Sequence, residues 1–159
     1  MGKVIFAAVM LLLSACATQK RAEISAETAL RVKEQLNARD YTIEVRMAYP
    51  AGWRSLPLTF DYSLTIKVDS INSHLPYFGR AYSLPYGGGE GLVFNSVIQN
   101  YQTDQGKRDR TVITFQTSTA EDEYSFQIIL FPSGSSTLHI QPNNKQMIGF
   151  SGEMVMKEP

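Results

Sequence analysis

The sequence predicts a mainly β protein in which one N-terminal amphipathic helix precedes seven or eight antiparallel strands. Two observations support this prediction. From residue 40 onward, apolar side chains recur at every second position, which is the period of a half-buried strand. The strand patterns are short and are separated by compact turns without helices, which is typical of an antiparallel meander. Such a meander forms a curved sheet, a barrel or a sandwich, and the sequence does not choose among these three.

The first residues predict a secretory signal peptide. Lys3 supplies a positive charge, and residues 4–13 form an apolar run. This run fits the apolar region of a signal peptide, whereas a membrane-spanning helix needs about 20 apolar residues. It ends in Leu-Ser-Ala-Cys, which resembles the lipobox of bacterial lipoproteins. We therefore predict a lipoprotein signal peptide over residues 1–15, a tether over residues 16–22 and a single β-rich domain over residues 23–154.

Cys16 is the predicted lipidation site, and its lipid is the predicted link to a membrane. In proteins with a lipobox, the signal peptidase cuts before this cysteine, whose thiol carries a diacylglycerol. Cys16 is the only cysteine of the chain, so it has no partner for an internal disulfide. An ordinary secreted protein with a free thiol is the alternative. Ala17 follows the cysteine, where an aspartate would favour the inner membrane, so we expect a cell-envelope protein on the outer membrane that faces the periplasm.

Residues 23–39 have the apolar spacing of one amphipathic helix. Its apolar residues lie among charged neighbours and are Ile24, Ala29, Leu30, Val32 and Leu36. We expect the helix to dock on the domain through the side that carries Leu30 and Leu36. A helix on a membrane surface is the alternative, although the apolar stripe is thin and lacks aromatic residues.

Seven strand patterns follow the helix. The first covers residues 41–49, and the second covers residues 56–68, where apolar side chains occupy every even position and are expected to be buried. The remaining patterns cover residues 91–101, 110–117, 123–131, 137–141 and 146–154. Residues 103–109 are expected to form a solvated hairpin loop.

Residues 74–91, with the sequence HLPYFGRAYSLPYGGGEG, contain the candidate surface for a ligand or partner. Its members are four aromatic residues and one base: Tyr77, Phe78, Arg80, Tyr82 and Tyr86. They either cover a barrel mouth or a sheet edge as a structural lid, or stack on a sugar, a peptide or another ligand with an apolar face. A phosphate loop is disfavoured, because no Gly-Lys-Ser/Thr opens a helix here.

Several segments of the chain carry a family resemblance. They are LTFDYSLTIKVDS, HLPYFGRAY, PYGGGEGLVF, YSFQIILFPSGSSTLHI and IGFSGEM, and they follow the lipobox. Together they resemble the Bacteroidetes lipoprotein family known as domain of unknown function 4251, over about residues 40–154. The resemblance implies an envelope lipoprotein. It supplies no catalytic residues, because the family has no assigned activity.

No motif of the sequence indicates catalysis or metal binding. The two histidines, His74 and His139, are isolated from each other, and neither an HExxH pattern, a cysteine pair nor a GxSxG elbow is present. We expect no catalytic residue, no metal and no cofactor. The formal net charge is zero and falls to near −1 when Lys3 is removed with the signal peptide, which argues against nucleic-acid binding.

Two function classes remain from the sequence. The preferred one is a non-catalytic envelope lipoprotein that binds a small hydrophobic molecule, a glycan or a protein, with a concave apolar pocket near residues 77–86. The other is a structural or assembly factor that pairs with another envelope protein, with a filled interior and an exposed apolar patch. A hydrolase is the least favoured reading.

Overall fold

The computed structural model describes residues 23, 25–80, 91–107 and 109–157. Helix α1 occupies residues 25–37 of this part, and Glu23 is helical as well. Eight strands follow: β1 Asp40–Pro50, β2 Leu56–Lys67, β3 Ser70–Leu75, β4 Leu92–Gln105, β5 Thr111–Ser118, β6 Glu123–Leu130, β7 Ser135–Pro142 and β8 Ile148–Met154.

The strands form a closed antiparallel barrel in sequence order. Each strand pairs with the next one along the chain, and β1 also pairs with β8, which closes the barrel. The predicted β class, N-terminal helix and antiparallel meander are confirmed. Of the three arrangements that the sequence left open, the structure has the barrel.

The barrel interior is filled with side chains. An eight-stranded barrel is just wide enough for inward-facing residues to fill it. Its fully buried members include Tyr41, Phe115, Phe150, Ile43, Leu64, Ile66, Ile71, Leu75, Leu92, Ile113, Ile128 and Leu130. Phe115 stacks on Phe126, with ring centroids 4.8 Å apart. The interior is therefore a packed hydrophobic core.

Helix α1 packs against the end of the barrel where β5 begins and β6 ends. Val32 and Gln35 are buried, and the Gln35 side chain lies 3.7 Å from the Met156 sulfur. Leu36 is half-buried against the core, but Leu30 is 62% exposed. The predicted docking through Leu30 and Leu36 is therefore wrong for Leu30, because Val32 and Gln35 form the buried stripe together with Leu36.

Strand β2 confirms the predicted second strand, but its even-numbered side chains are not all buried. Leu64 and Ile66 face the core, whereas Phe60 is 73% exposed and Val68 lies beyond the strand with a φ of 53°. The register to β1 shifts between the Val45 and Met47 pairs, so several residues of β2 bulge out opposite a single residue of β1. A bulge changes the direction in which side chains point, and the sequence alternation does not reveal it.

Two other boundaries differ from the sequence predictions. Strand β3 was not among the seven predicted patterns, because its six residues contain only Ile71 and Leu75 as aliphatic side chains. Strand β4 continues to Gln105, so the predicted hairpin loop over residues 103–109 is strand at its beginning. The polar outward residues of β4 concealed its length.

Barrel closure depends on close contact between β1 and β8. Gly152 lies opposite Val45, next to the register shift of β1. A Cβ atom on Gly152 would overlap the Glu44 carbonyl group and lie 2.8 Å from the Val45 Cα atom. Only glycine permits the two backbones to approach so closely at this position.

We expect Gly152→Ala to lower the free energy of unfolding by about 1–3 kcal/mol, because the added methyl group forces the β1–β8 pair apart. Chemical denaturation followed by circular dichroism measures this change. Gly149→Ala is the matched control on the same strand, since its Cβ would lie at ordinary contact distances of 3.5–3.6 Å from its neighbours. Equal stability of the two variants would contradict the closure argument.

A buried tyrosine pair lies near the start of β1. The hydroxyl groups of Tyr41 and Tyr101 are 3.3 Å apart, and the Arg39 guanidinium lies 4.2 Å from the centroid of the Tyr101 ring. Burial raises the pKa of Tyr41 well above the ordinary tyrosine value and also raises the pKa of Tyr101. Both hydroxyl groups are therefore held in the neutral form.

This pair predicts a loss of stability at alkaline pH. Because the folded-state pKa of Tyr41 is raised, its contribution is fully present below the unfolded-chain pKa of about 10 and is lost as the pH rises above it. Tyr41→Phe should therefore show a shallower alkaline fall in unfolding free energy than the natural chain. Identical slopes for the variant and the natural chain would contradict this prediction.

Candidate functional site

Tyr77 closes the barrel end that lies opposite α1. Its hydroxyl group donates to the Gln146 carbonyl at 2.9 Å and lies 3.1 Å from the Arg80 carbonyl. The Gln146 backbone N–H donates to the same Arg80 carbonyl at 3.1 Å. The buried Lys145 places its ammonium group 5.4 Å from the centroid of the Tyr77 ring. These contacts fasten the segment after β3 to the turn between β7 and β8.

Of the other residues of the predicted surface, Arg80 contacts Tyr77 through its backbone carbonyl. Phe78 and Arg80 are exposed, and Tyr82 and Tyr86 lie outside the described residues. The contacts of Tyr77 itself hold two segments of the barrel end together. They agree with the structural lid, which the sequence left open beside a ligand-stacking surface.

A groove on the outer face of β4–β7 is the main candidate site. It has a volume of 540 Å³ and is lined by five side-chain amides, together with hydroxyl groups, His139 and Met147. We call this surface the amide groove and define it by the five amides: Asn100, Gln102, Gln116, Gln127 and Gln141.

Strand pairing arranges the polar groups of the groove in rows. Gln116, Ser125 and Gln141 lie directly across from one another on β5, β6 and β7. In the next row, Gln127 lies between Thr114 and His139. Since neighbouring strands are about 4.8 Å apart, each row of three spans roughly 10 Å.

A bulge in β4 turns Asn100 onto the groove. The register between β4 and β5 shifts between the Gln99 and Gln102 pairs, and Asn100 has a φ of 55°. Asparagine tolerates this left-handed conformation better than most residues. The Asn100 side-chain nitrogen donates to Gln116 Oε1 at 2.9 Å. The bulge therefore places the Asn100 amide next to Gln116, at one end of the first row.

Gln141 connects the groove to the barrel end that Tyr77 closes. Its side-chain nitrogen donates to the Pro142 carbonyl at 2.6 Å and approaches the Lys145 carbonyl at 3.3 Å. Carbonyl oxygens only accept hydrogen bonds, so the nitrogen must be the atom that faces them. The oxygen of the same amide is left as an acceptor for a ligand.

The larger groove contains no charged side chain among its described lining residues. A second depression of 270 Å³ shares Gln116, Ser125 and Gln141 with it and adds Glu123 at its far side. Burial raises the pKa of Tyr124, which lines this second depression, so that its hydroxyl group stays neutral. Within the described residues, no cluster of three potential metal ligands occurs. The site therefore offers hydrogen bonds rather than ion pairs.

Comparison with known proteins identifies the family of this chain. The profile described as Domain of unknown function (DUF4251) matches residues 23–154. The chain belongs to the DUF4251 family. The fold is similar to that of a crystal structure of a DUF4251 family protein from Bacteroides eggerthii, with a TM-score of 0.64 and 18% sequence identity over 84% of this chain and 88% of that chain. No functionally curated protein matches the chain.

The family resemblance predicted from the sequence is thus confirmed, whereas the amide groove of this DUF4251 protein was not predicted. Its signal is present in the chain: Gln116, Gln127 and Gln141 are outward positions that alternate with buried ones. Outward polar residues are expected on any half-buried strand. Only the register shows that these amides share one concave surface.

We expect Tyr77→Phe to lower the free energy of unfolding by about 1 kcal/mol, because the Gln146 carbonyl loses its donor. Chemical denaturation measures this loss. Phe78→Leu, at an exposed neighbouring position, is the control and should change stability little. If Tyr77→Phe had natural stability, the structural reading of Tyr77 would be wrong.

Proposed function

We propose that this DUF4251 protein is a lipid-anchored envelope protein that binds a ligand without catalysis, and that the ligand occupies the amide groove. The observation that supports the proposal is the contrast between the two faces of the barrel. The inner face is packed with apolar side chains, whereas the outer face of β4–β7 carries a 540 Å³ groove. A small hydrophobic molecule has no space in such a core, so a polar ligand on the outside is favoured.

The proposed anchor is the lipid on Cys16, in the outer membrane and facing the periplasm. The lipobox at residues 13–16 supports it. Two or more acyl chains on one residue anchor a protein stably. Helix α1 would join the tether to one end of the barrel and leave the outer face of β4–β7 accessible. No helix of the described residues is sufficiently long and apolar to cross a membrane.

The lining of the groove supports binding rather than catalysis. Among the described residues of the larger depression, His139 is the only ionisable side chain, and no carboxylate, cysteine, lysine or tyrosine accompanies it. General acid–base hydrolysis uses a pair of titrating groups, or a nucleophile with its base. Amides and hydroxyl groups orient a ligand but do not take up its proton.

A second candidate function is assembly with another envelope protein. It is favoured by the packed barrel interior, which we expected for a protein of this class, and by two exposed aromatic residues. Trp53, in the turn between β1 and β2, and Phe60 on β2 are each 73% exposed. Large aromatic residues are enriched at protein interfaces. Neither residue lines the amide groove.

Photo-crosslinking in intact cells tests both candidates with the full chain. A benzophenone amino acid in place of Met147, which borders the groove and is 48% exposed, should form an adduct with an envelope component. The same substitution at Val93, which is equally exposed but lies outside the groove, is the matched control and should form none. The natural chain should also incorporate labelled palmitate, and Cys16→Ala should not.

The outcomes distinguish binding at the groove, assembly with another protein and anchoring by lipid. If the same photoreactive amino acid in place of Trp53 formed a protein adduct and the one at position 147 formed none, the assembly function would be supported and binding at the groove contradicted. Absence of fatty acid from the natural chain would contradict the anchor, whatever the crosslinks show.

A further inference from the structure

We infer that the ligand of the amide groove is an uncharged glycan chain that lies across β5, β6 and β7. The inference rests on the proposed function and specifies its ligand class. It follows from three properties of the groove: its backbone groups are already paired, its side chains both donate and accept hydrogen bonds, and its larger depression carries no charge.

The strands beneath the groove have no free edge. Strand β5 pairs with β4 and β6, and β7 pairs with β6 and β8. A peptide that adds a strand to a sheet needs unpaired backbone groups at an edge. Because these groups are occupied by the barrel itself, a ligand meets side chains only. This property disfavours an extended peptide.

The side chains present both donors and acceptors at the spacing of the strands. Gln141 offers its oxygen, because its nitrogen is bonded to the loop carbonyls. Gln116 accepts from Asn100 and is left with its own amide hydrogens to donate. Ser125, between them in the same row, does either. A chain of sugar hydroxyl groups, each of which both donates and accepts, satisfies such a mixed row.

The absence of charge in the larger depression selects against ionic ligands. A phosphate, sulfate or carboxylate group would lose part of its hydration here without gaining an opposite charge, which is unfavourable. The Glu123 carboxylate in the second depression adds repulsion toward anions. Neutral hydroxyl groups lose less hydration free energy on leaving water, and their hydrogen bonds to the groove compensate for that loss.

The groove also offers an apolar surface and more than one position for a sugar ring. Met147 is exposed and lines the larger depression together with His139, and the polarizable side chain of Met147 suits the C–H face of a sugar. The two depressions share Gln116, Ser125 and Gln141, so they lie side by side on the barrel surface. Two adjacent depressions accommodate a chain of sugars in preference to a single one.

Affinity electrophoresis of the full mature protein tests the inference. The gels contain neutral polysaccharides of several linkages (dextran, soluble starch, mannan and hydroxyethyl cellulose) or the anionic polymers polygalacturonate and heparin. We expect at least one neutral polymer to retard the protein and neither anionic polymer to do so. Gln127→Ala should weaken the binding roughly three- to tenfold, as expected for one lost hydrogen bond. Gln127→Glu, which adds a charge to the same position, should weaken it at least as much.

The matched control is Asn95→Ala, which removes an exposed amide of β4 that lies outside the larger groove. It should bind like the natural protein, and melting curves should show that all variants are folded. Retardation by the anionic polymers alone, or by no neutral polymer, would overturn the glycan inference. If a peptide or protein were then crosslinked at position 147, the groove would still be a binding site. If position 147 formed no adduct either, the proposed function would fail as well.

Discussion

Pairing between β1 and β8 is the interaction on which the rest of this structure depends. It closes the eight-stranded meander, and closure fixes the interior width at a value that inward side chains fill. It also removes the outer strands that an open sheet would expose to other chains. Gly152 permits this pairing because its missing side chain leaves space for the backbone of β1. The outer surface and the two ends are therefore the parts of the barrel that other molecules can reach.

The two ends of the barrel are closed by different means. At one end, α1 places Val32 over the core. At the other end, the turns are tied together by polar contacts. The Asp122 carboxylate accepts the Asn144 backbone N–H, and Tyr77 bonds to the Gln146 carbonyl. The Asp122 carboxylate and the Tyr77 hydroxyl group have defined hydrogen-bond partners, so the contacts at this end depend on the orientation of the groups. The helix at the other end contributes mainly the burial of apolar side chains.

The sequence determines the barrel class better than it determines the site. Alternation of buried and exposed residues identified most strands, because period two is imposed directly by the strand geometry. It did not identify β3, whose outward face is polar and whose length is six residues. The exposure of Leu30 and Phe60 also escaped prediction, since it depends on which side of α1 meets the barrel and on a bulge in β2. The amide groove depends on the register between successive strands and on the bulge in β4, which the pattern within a single strand does not contain.

The two-sided role of the Gln141 amide has a consequence for how the molecule responds to a ligand. Its nitrogen bonds to the Lys145 carbonyl, and the residue also lines the groove, so the oxygen is the amide atom left for a ligand. Hydrogen bonds on opposite sides of one amide polarise each other, so a donor at the oxygen strengthens the bonds at the nitrogen. Lys145 and Gln146 both contact Tyr77. Occupancy of the groove would therefore strengthen the contacts with which Tyr77 closes this end of the barrel. If the proposed ligand binds in the groove, its affinity and the order of this barrel end would depend on each other through the Gln141 side chain.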